Sequence, residues 1–162
     1  MKSLVVYYSR SNNTETVARE ISKAVNCETK KIESVKNLSF MGAAFKALMG
    51  AKDKIKSVDF NAENYDNIFI GSPVWAGKSS TPINTFLSEV DFKGKNVFIF
   101  LTQGDGKTPY SVYQSIKERV ESKGGKVIDS FFMQTNMKNP LTSTQAAESV
   151  SGWIDKNRSF FK

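Results

Sequence analysis

A cluster of hydroxyl and amide side chains occupies one short stretch near the start of the chain, at Ser9, Arg10, Ser11, Asn12, Asn13 and Thr14. A β-branched apolar run, Leu4 to Tyr8, precedes the cluster, and apolar residues at helical spacing follow it from Val17 to Val25. This pattern predicts a buried strand, a tight loop and a helix start, with Asn12 and Glu15 spaced as a capping box. Backbone N–H groups at a helix start bind phosphate without a cation, so the sequence predicts a phosphate site here. A plain capped helix would give the same local pattern.

The phosphate loop lacks the two best-known glycine-rich phosphate motifs. It contains neither the GxGxxG of a dinucleotide site nor the GxxxxGK[ST] of an ATP-binding P-loop. The sequence therefore favours a monophosphate held by hydroxyl groups and backbone amides.

The composition restricts the chemistry that side chains can do alone. The chain has no histidine, which removes the usual general base and the commonest zinc ligand. Its one cysteine, Cys27, excludes an internal disulfide and a multi-cysteine metal site, and fits a reducing, cytoplasmic location. No apolar run is long enough for a membrane span, and we recognise no targeting segment. If the chain does chemistry, we therefore expect a cofactor to carry it, and we assign no catalytic residue and no metal ligand.

The sequence predicts five strands that alternate with helices. The strands are expected at residues 4–8, 28–32, 67–70, 96–101 and 126–132. This alternation predicts an α/β fold with a parallel sheet covered on both faces. The polar second strand suits a sheet edge. Thr108 and Pro109 are expected to cap and begin the fourth helix, and Thr142 with Gln145 to cap the last one. The last helix should bury one stripe: Val150, Trp153, Ile154 and Phe161.

Ligands of such sheets bind beyond the carboxyl ends of the strands, at the point where the strand order reverses. This rule selects the loops after the first, third and fourth predicted strands. The second of these loops runs from Gly71 to Gly77 and the third from Thr102 to Gly106.

Together the three loops resemble those of the flavodoxin-like family. The first is similar to the family's SxTGNT loop, which cradles the FMN phosphate, with Asn12 in the glycine position. The second resembles the family's GxPxWxG stretch, in which Trp75 would lie against the flavin ring. The third resembles the family's loop with a Gly-Asp pair on the other side of the ring. In many flavodoxins a tyrosine follows that pair and stacks on the flavin, whereas Tyr110 here lies several residues later.

The resemblance implies one domain over residues 1–162, a three-layer doubly wound fold with five parallel strands in the order 2-1-3-4-5, and FMN as the cofactor. It also implies the residues that contact this cofactor: Ser9, Arg10, Ser11, Asn12, Asn13, Thr14, Ser72, Pro73, Val74, Trp75, Ala76, Gly77, Thr102, Gln103, Gly104 and Asp105.

One segment, Phe40 to Met49, fits the pattern less well. Ser39 could cap a helix there that is apolar nearly all round, and such a helix must be covered. The sheet, the edge of a cofactor or a second subunit could cover it, which leaves a monomer or a homodimer open.

The charge bears on the kind of redox protein. The formal net charge is +7, and Lys78 and Lys107 lie in the predicted ring loops, opposed by Asp105. Carriers of the family that this chain resembles are typically acidic, so we expect a flavin potential above that of a low-potential carrier. Two functions remain open: an electron carrier between redox partner proteins, or an NAD(P)H-dependent reductase of quinones, nitro or azo compounds. A cofactor-free basic interaction protein is the remote alternative; no nucleic-acid motif is present.

Overall fold

The computed structural model describes residues 1–35, 42, 54–56 and 61–161. The predicted helix over Phe40 to Met49 lies outside the described residues, Gly42 excepted, so its presence and its role remain predictions.

Strands and helices alternate along the described part of the chain. The strands are β1 Ser3–Tyr7, β2 Glu28–Lys31, β3 Asn67–Trp75, β4 Lys78–Ser79, β5 Asn96–Gln103 and β6 Lys126–Gln134. The helices are α1 Asn13–Val25, α2 Thr81–Glu89, α3 Tyr110–Glu121 and α4 Ser143–Lys156, with short 3₁₀ turns at Ala62–Asn64 and Arg158–Phe160.

The main sheet has the order β2-β1-β3-β5-β6, and all neighbours in it are parallel. The two-residue strand β4 lies off this path and pairs antiparallel with the end of β3. The predicted order of five parallel strands is therefore confirmed, since β4 adds a hairpin and leaves the crossovers unchanged. The polar strand β2 lies at the edge, as its composition predicts.

Alternating side chains divide the core into two layers. On one face of the sheet, Leu4, Val6 and their neighbours pack with apolar residues of α2 and α3. On the other face, Val5, Phe69 and their neighbours pack with α1 and α4. Because both faces are covered, the central strands β1, β3 and β5 are largely apolar, which allows the three-layer arrangement to be predicted from the sequence.

Strand β3 is longer than its apolar run indicates. The prediction of a loop from Gly71 onward was wrong, because β3 continues to Trp75 and pairs with β5 as far as Pro73 opposite Thr102. Proline lacks an N–H donor, but it sits at the last pair of this ladder, where little pairing is lost. Gly71, Ser72 and Pro73 are residue types typical of turns, so the sequence pattern did not indicate that the strand continues.

The helix starts differ in part from expectation. Asn12 precedes α1 as predicted, but its backbone is left-handed (φ 63°) and its side chain makes no capping bond, so the capping box with Glu15 was wrong. Asparagine tolerates this conformation, which glycine would also adopt. Helix α3 begins one residue later than predicted, at Tyr110 with Pro109 as its N-cap. In α4 the capping box is confirmed, since Thr142 and its partner exchange both bonds.

The buried stripe of α4 is confirmed for its three helical residues: Val150, Trp153 and Ile154 are buried. Phe161, which follows the helix, is half-buried and packs near Phe69 and Phe98.

Gly71 has a packing reason to be glycine. The ring of Phe100, its neighbour on β5, lies across it, and a Cβ atom at Gly71 would stand 2.1 Å from the Cζ atom of that ring. The ring cannot move freely, since Phe100 is fully buried. The absence of a side chain at Gly71 therefore lets β3 and β5 pair under an aromatic ring.

We predict that Gly71→Ala destabilises the chain by about 1–3 kcal/mol, the usual cost of overpacking. The matched control is Gly152→Ala in α4, where a Cβ atom would meet nothing within 4 Å. That change should stabilise the chain by roughly 0.5–1 kcal/mol, because alanine is the better helix former. Urea denaturation of both variants measures this, and equal effects would contradict the packing argument.

Candidate functional site

The carboxyl ends of β1, β3 and β5 lie side by side at one edge of the sheet, because the three strands are parallel neighbours. The ends of β3 and β5, together with the segments that follow the three strands, carry the predicted site residues. Helix geometry leaves the first N–H groups of α1 without intrahelical partners, directly after the loop that ends β1.

Ser9 is the notable residue of the first loop. It is 7% exposed, and its Oγ atom is buried without a hydrogen-bond partner among the described residues. A buried hydroxyl without a partner costs about 1–3 kcal/mol. Ser9 also lines a cavity of about 430 Å³ together with Arg10 and Lys31. The same cavity is lined by the Lys56–Glu33 ion pair, and Lys31 is paired with Glu15. The features that favour an anion here are therefore the Ser9 hydroxyl, Arg10 and the N-terminus of α1 that follows this loop.

The Asn13 side chain bonds to the protein's own backbone, although the sequence predicts that it contacts the cofactor. Its Nδ2 atom donates to the backbone oxygen of Asn136 (3.3 Å), and its Oδ1 atom accepts from the backbone N–H of Leu141 (2.8 Å). The Asn13 amide therefore clamps the loop after β6 against the start of α1. This side chain is committed to the protein itself, while its neighbour Ser11 is only weakly engaged, at 3.4 Å from Asn13 Nδ2.

Thr14 links two of the three segments. Its Oγ1 atom lies 2.8 Å from the Oγ1 atom of Thr102, at the end of β5, and both side chains are buried. The prediction that the third loop begins at Thr102 was wrong, because β5 continues to Gln103 and pairs with β6 to its end. The hydrogen bond therefore joins the phosphate corner to the end of β5.

The carboxylate of Glu15, in the first turn of α1, forms ion pairs with two basic side chains. Lys31 Nζ lies 2.5 Å and Arg19 NH2 lies 2.6 Å from its two oxygens. The hydrogen bond from Lys31, with a further contribution from Arg19, holds the pKa of Glu15 below its usual range. Burial, together with the Glu15 charge, raises the pKa of Tyr7 to about 12. Pairing of Glu15 limits its repulsion of an anion bound at this helix end.

The second segment is a hairpin. Trp75 and Lys78 pair across a two-residue turn whose central residues both have positive φ, 47° at Ala76 and 71° at Gly77. Such turns match the twist of the strands, but only glycine adopts them without strain. The Trp75 ring is buried and meets the ring of Tyr8 edge-on, with centroids 5.5 Å apart.

A buried polar network anchors this hairpin. Ser79 donates its hydroxyl to Asn84 Oδ1 at 2.7 Å, and Arg119 on α3 donates to the same oxygen at 2.6 Å and to the Asn84 carbonyl at 2.7 Å. Burial lowers the pKa of the Arg119 guanidinium. Ser72, fully buried in β3, accepts from the backbone N–H of Ser80. These bonds fix β4 against α2 and α3.

A cavity of about 370 Å³ lies between the hairpin and the segment after β5. Its predicted lining residues are Val74, Ala76, Gly77, Gln103, Gly104 and Asp105. This volume falls in the range of small-molecule sites, about 300–1,000 Å³. The structure leaves Ser72, Pro73, Trp75 and Thr102 outside this lining.

The cavity also has lining residues that the sequence did not single out. Pro109, Ser111 and Val112, at the start of α3, complete it beside Lys107. Tyr110 lies elsewhere, with 61% exposure, and its hydroxyl accepts from Gln114 Nε2 at 2.5 Å. The helix start predicted at Thr108 and Pro109 was the signal that could have found this wall.

No group of histidine, cysteine, aspartate and glutamate side chains that could hold a metal ion occurs among the described residues. Burial, with the nearby Glu28 charge, raises the pKa of the Cys27 thiol to about 11, so it is a poor nucleophile. In the part of the chain that the structure describes, the helices are too short or too polar to cross a membrane.

Comparison with known proteins identifies the family. A family model described as flavodoxin matches residues 2–154, and the chain belongs to the flavodoxin family. A flavodoxin from Maridesulfovibrio salexigens is 29% identical over 138 residues, which cover 78% of this chain and 81% of that protein.

Two solved structures illustrate the fold. A flavoprotein from Lactobacillus acidophilus, solved in complex with FMN, is 27% identical, with a TM-score of 0.67 over 81% of this chain and 92% of that one. A flavodoxin from the domain Archaea is 20% identical, with a TM-score of 0.60 over the full length of both chains. The second likeness concerns the fold alone.

We predict that Ala76→Gly stabilises the chain by up to about 1 kcal/mol, because relief of the left-handed strain outweighs the greater freedom of glycine in the unfolded chain. Gly77→Ala is the reciprocal variant. It meets no atom within 4 Å but keeps φ at 71°, so it should destabilise through backbone strain alone. Thermal unfolding of both variants measures the effect, and a destabilised Ala76→Gly would refute the strained turn.

Proposed function

We propose that this chain binds FMN at the edge of the sheet and uses it for redox chemistry. The observation that carries the proposal is the buried Ser9 hydroxyl, which has no partner among the described residues. Ser9 lies in the loop between β1 and α1, where the family resemblance expects a phosphate. The FMN complex of the Lactobacillus relative supports this choice of cofactor.

The phosphate end of the proposed site uses neutral donors. Ser9 would donate its hydroxyl, and the first N–H groups of α1 would add fixed dipoles. Thr14 would contribute its hydroxyl from the first turn of the same helix. Asn13 would act indirectly, because its side chain already holds the loop after β6 in place.

The ring end of the proposed site is the 370 Å³ cavity. Val74 and the strained turn at Ala76 and Gly77 would border the flavin on one side, and Gln103 to Asp105 on the other. When bound, FMN supplies transfer of single electrons or acceptance of hydride, so the protein needs no catalytic acid or base of its own. The chain's contribution is to hold the ring and to set the charge around it.

Ser9→Ala tests the phosphate assignment. FMN affinity should fall about tenfold or more, since hydrogen bonds to charged groups are worth about 1.5–3 kcal/mol. Riboflavin affinity should stay the same, and the cofactor-free chain should become no less stable, because the variant removes a buried hydroxyl that lacks a partner. Flavin fluorescence titrations and urea denaturation provide both readouts.

Ser3→Ala is the matched control for Ser9→Ala. Ser3 is equally buried but begins β1 at the opposite edge of the sheet, where it accepts a bond from Asn67. The Ser3→Ala variant should be less stable than the unmodified chain and should bind FMN and riboflavin with unchanged affinity. If Ser9→Ala affects FMN and riboflavin alike, the phosphate does not lie at Ser9.

We infer that the proposed flavin has a higher potential than a low-potential carrier would need. The net charge is +7, and Lys107 lines the cavity. A cation near the ring stabilises the negative charge gained on reduction. Lys107 is exposed, so solvent screens much of this effect, and Asp105 opposes it.

Lys107→Glu should lower the flavin potential by roughly 20–60 mV, where about 59 mV is a tenfold change for one electron. Lys126→Glu makes the same charge change at the start of β6, on the opposite edge of the sheet, and should shift the potential far less. Potentiometric titration compares the two. Equal shifts would mean that net charge, and not the position of Lys107, sets the potential.

Two redox functions fit this site, and charge is the observation that separates them. An electron carrier would exchange electrons with a partner protein, while a reductase would take hydride from NADH or NADPH and pass it to a quinone, nitro or azo compound. Lys107, which lines the cavity beside Asp105, and the net charge of +7 favour the phosphates of a nicotinamide nucleotide. Anaerobic mixing with NADPH distinguishes them: rapid bleaching of the flavin supports the reductase, and an unchanged oxidised spectrum supports the carrier.

A further inference from the structure

We propose that Thr102 is a positioning residue for the FMN phosphate and acts through Thr14. The inference rests on the proposed FMN site and assigns to one of its residues a task at the far end of the cofactor. The hydrogen bond between these two hydroxyl groups carries it.

The two threonines join segments that are distant in sequence. Thr14 lies in the first turn of α1, and Thr102 lies near the end of β5, 88 residues later. Their Oγ1 atoms are 2.8 Å apart, and either could be the donor. Thr14 is 1% exposed and Thr102 is 3% exposed, so water has little access to either hydroxyl.

Thr102 is a polar residue on a face of β5 where the preceding side chains are aromatic. The alternate positions before it on β5, Phe98 and Phe100, are fully buried aromatic residues packed with α1 and α4. A threonine continues this row at the position that approaches the start of α1. A buried hydroxyl needs a partner, and Thr14 provides it.

Phosphate binding would fix the direction of this hydrogen bond. A threonine hydroxyl has one proton, and the oxygens of a phosphate dianion accept hydrogen bonds but donate none. When Thr14 donates to the phosphate, it must therefore accept from Thr102. The chain then runs from Thr102 to Thr14 to the phosphate, and a hydroxyl that accepts one bond becomes a stronger donor in the next.

A direct contact of the Thr102 side chain with the flavin ring would be the simpler role. The cavity lining contradicts it, because Gln103, Gly104 and Asp105 line the cavity whereas Thr102 does not. The strand pairing agrees: Thr102 pairs with strands on both sides, at Pro73 and Met133, whereas the next residue, Gln103, pairs only with β6 and is the first residue of this segment to line the cavity. Thr102 should therefore affect the phosphate end of the cofactor and not the ring end.

The test compares FMN with riboflavin, which lacks the phosphate, in fluorescence titrations of the full chain. Thr102→Val should weaken FMN binding about fivefold, the size of one lost hydrogen bond, and leave riboflavin binding within about twofold. Thr102→Ser keeps the hydroxyl and should keep FMN affinity. In a Thr14→Val background, Thr102→Val should have no further effect on FMN, since the two act as one unit.

Thr85→Val is the matched control. Thr85 is a buried threonine on α2 whose hydroxyl donates to the Thr81 carbonyl, so its loss should change neither affinity. Equal weakening of FMN and riboflavin by Thr102→Val, or no weakening of either, would overturn the inference while the proposed FMN site stands. An unmodified chain that binds no FMN would overturn both.

Discussion

The parallel register of β1, β3 and β5 is the constraint on which the site depends. Because these strands run in the same direction and are neighbours, the chain segments that follow them meet at one edge. The register depends in turn on an apolar core with an unusual local requirement: Gly71 has no side chain, so that the ring of Phe100 can lie across β3. Core packing thus determines where the polar groups of the site converge.

Several polar groups around the site have hydrogen-bond partners within the protein, which distinguishes them from the buried Ser9 hydroxyl. Asn13 holds the loop after β6, Asn84 and Arg119 hold the hairpin, and Thr14 bonds to Thr102. Such bonds make the surroundings of the site rigid, which reduces the cost of binding a ligand. Ser9 alone in this group is buried without a partner among the described residues, and a hydrogen-bonding ligand would remove the energetic cost.

Much of the fold could be predicted from the sequence, because local patterns carry it. Continuous apolar runs give buried strands, and Thr142 with Gln145 caps α4 through neighbours three residues apart. The long-range contacts could not be predicted, since nothing near Asn13 indicates that its amide will meet Leu141, 128 residues away. The extension of β3 was hidden for another reason: Pro73 and the small residues around it are typical of loops, and pairing with β5 overrides that preference.

The most direct measurement is a fluorescence titration of the purified full chain, freed of any bound flavin, with FMN and with riboflavin in parallel. The account predicts saturable quenching by one FMN per chain and markedly weaker binding of riboflavin, because Ser9 and the start of α1 act on the phosphate. Equal affinity for the two flavins would contradict the phosphate site. The absence of any quenching by FMN would contradict the proposed function as a whole.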